Sequence, residues 1–140
     1  MRTLIASALL TIAGQVLAQS PPPLEIISIR DGESVPLGKV YWISYATCES
    51  LFKSVQQVDM MEGPAEISLK FEPGKVFAMR ENCKKEVNGG TVMATAKGVT
   101  EPMDVILTYR VHLTTKDGRH DTTKRYRVLL FPAAATGKTQ

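Results

Sequence analysis

VILTYRVHLTTKDGRHDTTKRYRVLLF, residues 105–131, alternates apolar and polar side chains on both sides of Asp117-Gly118. Val105, Leu107, Tyr109, Val111 and Leu113 fall on one face, and Ile106, Thr108, Arg110, His112 and Thr114 on the other, the period of a half-buried strand. Asp117-Gly118 suits the centre of a two-residue type I′ turn, so the stretch predicts a hairpin whose register that turn fixes. Tyr109 then lies opposite Tyr126, Leu107 opposite Val128 and Val105 opposite Leu130, all on the apolar face. On the polar face the same register sets Arg110 across from Arg125, Thr108 across from Arg127 and His112 across from Thr123. Like charges directly opposite one another destabilise a sheet. Their repulsion must be relieved by acids from a neighbouring strand or by an anion from outside. Arg110, His112, Arg125 and Arg127 are therefore the expected binding residues, because paired guanidinium groups offer two-pronged contacts to carboxylate, phosphate or sulfate.

Working back from this hairpin, β-branched and aromatic runs recur between Gly, Pro and Asn-Gly punctuation, and no long apolar period of 3.6 persists. The expected class is all-β with about seven strands. Leu24–Arg30 reads as a first strand ended by Asp31-Gly32. Lys39–Cys48 reads as a second, apolar on both faces and hence central. Residues 49–62 are the least clear stretch and read as a strand with loops or as a short helix. Ala65, Ile67, Leu69 and Phe71 alternate with polar residues, and Pro73-Gly74 supplies the central pair of a type II turn from which Val76–Met79 would return. Residues 81–88 read as a polar loop, Gly89-Gly90 as a break, and Val92, Ala94 and Ala96 as the inward positions of a further strand.

The opening MRTLIASALLTIAGQVLAQS has a basic Arg2, an apolar run from Leu4 to Ala13 and small residues before Gln19. That is the layout of a secretory signal peptide cleaved after Ala18. The run is too short to span a bilayer, and no later segment reaches that length. The expected organisation is a signal peptide at 1–18, a proline-rich lead-in at 19–23, a β-sandwich at 24–131 and a disordered tail at 132–140. The expected location is the periplasm or the exterior. Cys48 and Cys83 are the only cysteines, and export places them where paired thiols become a disulfide.

Composition excludes other classes. With 44% hydrophobic and 22% charged residues, the chain is neither disordered nor collagen-like. Removing Arg2 lowers the formal charge from +3 to about +2, so any basic patch is local. Nucleic acid is a poor fit in that compartment, with few aromatics among the charges. No GxSxG, HExxH or phosphate-cradling glycine motif is present, so no enzyme activity and no cofactor are expected. The methionines left after processing, Met60, Met61, Met79, Met93 and Met103, form no clustered motif, and His112 and His120 fall on opposite faces. Periplasmic copper handling by methionine and histidine is therefore an alternative, and an enzyme with a dispersed site another.

Short strands at regular spacing, one cysteine pair and a single Trp42 resemble the immunoglobulin-like β-sandwich domains of exported bacterial proteins, over Leu24 to Phe131. The resemblance implies a Greek-key sandwich. The expected function is a non-enzymatic binding or interaction module. It would contact another exported or envelope protein, or an anionic envelope ligand, through the last hairpin face or an edge strand, without membrane insertion.

Overall fold

The structure, a computed structural model, describes residues 18–80 and 82–134. Seven strands form two sheets, with no helix among the described residues. The strands are β1 Ile26–Arg30, β2 Ser34–Val40, β3 Phe52–Glu62, β4 Ile67–Arg80, β5 Cys83–Ala96, β6 Met103–Thr115 and β7 Gly118–Phe131. One sheet has the order β1-β7-β6-β3 and the other β2-β5-β4. β1 runs parallel to β7, and every other pair is antiparallel. The signal peptide and tail expected at the two ends lie, but for Ala18 and residues 132–134, outside the described residues.

Alternation builds the core. Leu107, Tyr109, Val111 and Leu113 of β6, with Tyr126, Val128 and Leu130 of β7, are buried against Val92, Ala94 and Ala96 of β5 and Leu37 and Val40 of β2. Gly38 of β2 leaves room for the tyrosines of the facing sheet, since a Cβ there would lie 2.9 Å from the Tyr109 hydroxyl and 3.0 Å from that of Tyr126, the large-against-small fit that close packing demands. Tyr109 and Tyr126 stack with ring centroids 6.1 Å apart, and the Tyr126 hydroxyl donates to the Leu37 carbonyl at 3.1 Å. Burial raises the pKa of both phenols, foremost by desolvation, so both stay neutral structural groups.

Four expectations about strand limits are corrected. The last hairpin turns about Lys116-Asp117, because Thr115 pairs with Gly118. Both loop residues keep negative φ, which type I′ forbids, and the positive φ falls on Gly118 at 131°. The partner strand therefore sits two residues from the expected register. A two-residue slip keeps every side chain on its expected face, so the apolar stripe survives while the cross-strand partners change.

Second, Pro73-Gly74 is no turn. β4 runs through it to Arg80, with Pro73 opposite Gly90 and Gly74 opposite Gly89. β4 is an edge strand, where a proline needs no ladder bond on its outer side. Third, residues 83–88 of the expected loop 81–88 are strand and Gly89-Gly90 is no break, for β5 is continuous from Cys83 to Ala96. Fourth, β2 ends at Val40, and the expected strand Lys39–Cys48 is mostly a loop, residues 41–51. Within it the Cys48 amide donates to the Ser44 carbonyl at 2.8 Å and Cys48 adopts φ 59°, closing the segment on itself.

β4 and β5 extend past the end of β2 as a two-stranded arm, and the 41–51 loop lies along one face of it. Ile43 packs with Val76, Ala78, Cys83 and Val87 in a second small core. Cys48 and Cys83 are bonded, with Cα atoms 5.3 Å apart, and no free cysteine remains among the described residues. The disulfide staples the loop to the arm.

Candidate functional site

The outer face of the β3-β6-β7 sheet brings together the four expected binding residues, but with their charges answered. The expected confrontation of Arg110 with Arg125 does not occur: Arg110 pairs with Thr123, Arg125 with Thr108 and Arg127 with Ile106. Arg127 donates to both oxygens of Asp104, Nε to Oδ1 at 2.9 Å and an Nη to Oδ2 at 2.5 Å. This two-pronged bond holds the Asp104 carboxyl below its ordinary value and raises the guanidinium. Arg125 stands 3.8 Å from Glu62 of β3. Arg110 donates to the Thr123 hydroxyl at 3.4 Å and has Asp59 as its partner across β3.

His112 bridges three strands. Its Nε2 is 2.7 Å from Asp59 Oδ2 on β3, and its Nδ1 is 2.7 Å from Asp121 Oδ1 on β7. Only imidazolium donates from both nitrogens. The bond to Asp59 first, then that to Asp121, raises the His112 pKa, and the same bond is the main cause that lowers Asp59. Because the folded pKa of His112 is raised, its contribution is full below the unfolded value and is lost as pH rises through the folded one. Asp59 is depressed, so its contribution is present above the unfolded carboxylate value and lost as pH falls through the folded one. The bridge thus favours the fold between the two folded values. Wild-type melting temperature should fall as pH rises from the ordinary histidine value, about 6.5, through the raised one, and His112→Gln should flatten that slope. An equal slope in the variant would mean that the bridge is not its source.

His120, across from Leu113, stacks on Trp42 with centroids 4.1 Å apart and an interplanar angle of 17°. The two histidines therefore serve different faces. Met60 and Met103 pack on the main core, while Met61 on β3 and Met79 on β4 are exposed on different sheets. Among the described residues no group of three His, Cys, Asp or Glu side chains is placed to hold a metal ion.

A different surface gathers at the stapled end. Tyr41, Trp42 and Tyr45 of the 41–51 loop, with Leu51, Arg80 and Asp117, line a cavity of about 380 Å³. The Arg80 guanidinium lies over the Tyr45 ring, 5.4 Å from its centroid. A second cavity of about 460 Å³, lined by Tyr45, Met79 and Asn82, and a third of about 210 Å³, lined by Trp42, Lys39 and Lys124, both also include Arg80. Tyr45 is 71% exposed, Met79 66% and Phe77 41%, three of the six large apolar side chains most open to solvent. Among the described residues Arg80, Lys39 and Lys124 form no ion pair. Lys39 donates to the Phe77 carbonyl at 3.4 Å.

Sequence reasoning did not single out Tyr41, Tyr45, Arg80 or Lys39. Reading residues 39–48 as strand hid them, because a strand would send Tyr41 and Trp42 to opposite faces. The available signal was three aromatics within five residues ahead of a cysteine. Comparison of the chain with models of protein families, with curated proteins and with solved structures finds no match.

Proposed function

We propose that the chain is an exported, non-enzymatic binding module with an immunoglobulin-like Greek-key fold, and that it engages an envelope component through its disulfide-stapled end. The strand order supports the fold reading. β2-β5-β4 and β3-β6-β7 have the neighbours of the immunoglobulin arrangement, and only β1 differs, joining β7 instead of β2. The bridge ties a loop to an arm within one end of the sandwich and does not occupy the usual inter-sheet position. The leader-like N-terminus, the bonded cysteine pair and the absence of a free thiol among the described residues support export, with processing after Ala18.

One observation carries the choice of surface: exposed aromatics and cations without an ion pair among the described residues converge on Arg80, while Arg110, Arg125 and Arg127 of the last hairpin already have carboxylate or hydroxyl partners. Three of the four edge strands are poorer candidates. β3 carries three register shifts, and β2 and β4 carry Pro36 and Pro73, devices that discourage strand addition.

Co-sedimentation with the insoluble envelope fraction of a Gram-negative bacterium tests this reading. Wild type should pellet with the fraction, and Tyr45→Ala with Arg80→Gln should abolish that. Arg125→Gln with Arg127→Gln should retain it. Loss in the second pair only would return the site to the hairpin face.

A further inference from the structure

The stapled end contains three kinds of recognition group that few ligand classes satisfy together. Tyr41, Trp42 and Tyr45 of a single loop line one cavity; Tyr45 is largely in solvent, while Trp42 is half-buried with one ring face stacked on His120. Such rings take the C–H face of a sugar ring or another flat apolar surface. Arg80, Lys39 and Lys124 supply three cations without an ion-pair partner among the described residues. Arg80, already set over a tyrosine ring, can hold a carboxylate with its planar fork. Asp117 and Ser44 line the same cavity and add acceptors. Asp117 is held below its ordinary pKa, chiefly by the Thr115 hydroxyl, and therefore stays ionised; it accepts from hydroxyl groups and repels a carboxylate.

Resting on the binding-module reading above, we infer that the crevice around Arg80 is a site for an acidic oligosaccharide, one of whose ring faces lies on Tyr45, whose carboxylate meets Arg80 and whose hydroxyls meet Asp117. An acidic peptide satisfies the cations but offers Asp117 no row of hydroxyl donors, and a neutral sugar leaves the three cations unmatched. The cavity of about 380 Å³ is at the lower end of small-ligand pockets, and two neighbours of about 460 and 210 Å³ share Arg80 with it. A run of adjoining depressions suits a short chain of sugar units better than one unit.

Trp42 is the only tryptophan and lines two of the three cavities, so its fluorescence reports on the site without a label. Wild-type protein is titrated at constant pH and ionic strength with tetragalacturonate, its methyl ester and tetraglutamate. A saturable change with tetragalacturonate is expected, weakened at least about tenfold with either of the other probes. Arg80→Gln and Tyr45→Ala should each weaken it by a similar factor, while Arg125→Gln should match wild type. Arg80 and Tyr45 are exposed, so both variants should keep the wild-type melting curve, which is checked in parallel. Tetraglutamate binding as tight as tetragalacturonate would overturn the saccharide class, as would no response to any probe. If envelope co-sedimentation still depends on Tyr45 and Arg80 in that case, the binding-module reading survives and only the ligand class falls. If co-sedimentation is insensitive to both residues, the two readings fall together.

Discussion

Replacing Cys48 and Cys83 together with alanine should lower unfolding stability by about 4 kcal/mol, the largest change expected from any alteration outside the main core. The bridge closes a loop of 35 residues' separation. In the chain-entropy view, cross-linking over that length withholds conformations from the unfolded chain worth about 4 kcal/mol. A domain of this size has a total of only about 5–15 kcal/mol. The loss should also be local in its first effects. Cys83 is buried with Ile43, Val76, Ala78 and Val87, a cluster separate from the main core, and the bridge is the covalent tie of the 41–51 loop to it. Amide exchange at Val76–Ala78 and Val87 should therefore accelerate more than at Leu107–Leu113, under conditions where the main sheet stays folded. Chemical denaturation with exchange measured residue by residue checks both claims. An unchanged midpoint, or uniform acceleration across both sheets, would mean that the staple does not hold the end together.

The second large effect concerns the glycine pair inside β5. A Cβ on Gly90 would lie 2.3 Å from the Glu72 carbonyl oxygen and 2.3 and 2.5 Å from two carbons of the Phe71 ring. The carbonyl belongs to the paired β4 backbone and cannot move without parting the strands. The ring packs on bare backbone here and tilts against Phe52 at 6.2 Å. Gly90→Ala should cost about 1–3 kcal/mol through this overpacking. Gly74→Ala is the matched control in the same hairpin, because a Cβ there meets nothing within 4 Å. It should be neutral or slightly stabilising, as replacing glycine reduces the freedom of the unfolded chain. Equal losses from both variants, read by thermal melts, would show that the close approach at Gly90 has no energetic weight.

These two sites also show where reading the sequence succeeds and where it stops. Period-two alternation identified the inward residues of β5, β6 and β7, because face is a matter of parity and parity survives a two-residue slip. Turn position is set by finer local choices. Lys116-Asp117 satisfies a turn with negative φ at both loop residues and leaves Gly118 to take the positive φ, an option as open to KDG as the type I′ reading. The glycine and proline pairs at 73–74 and 89–90 read as breaks by their usual meaning. Here Gly89 and Gly90 admit neighbouring backbone and the Phe71 ring, a tertiary cause with no local trace, while Pro73-Gly74 runs on within edge strand β4.

The candidate sites follow the same division. That Arg125 and Arg127 share an outward face was legible, but the error in register concealed that Arg127 reaches Asp104 on β6. Asp59 and Glu62 come from β3, a strand with three register shifts whose alignment no sequence pattern fixes. The crevice at the stapled end depends on a loop folding back on itself and on a bridge to a distant arm. Its aromatic cluster is visible in the sequence, whereas its meeting with Arg80, some 35 residues later, is not.

Hydroxyl-radical footprinting of the protein bound to the envelope fraction measures the binding surface most directly, because methionine and aromatic side chains are reactive when open to solvent. Tyr45, Phe77 and Met79 are exposed in the free protein, as are Ile26, Met61 and Phe131 away from the stapled end. Binding through the stapled end predicts that Tyr45 and Met79 become protected on association while Met61 and Phe131 keep their labelling. Protection of Met61, which lies on β3 beside Glu62, with Tyr45 and Met79 still labelled as in the free protein, would contradict it.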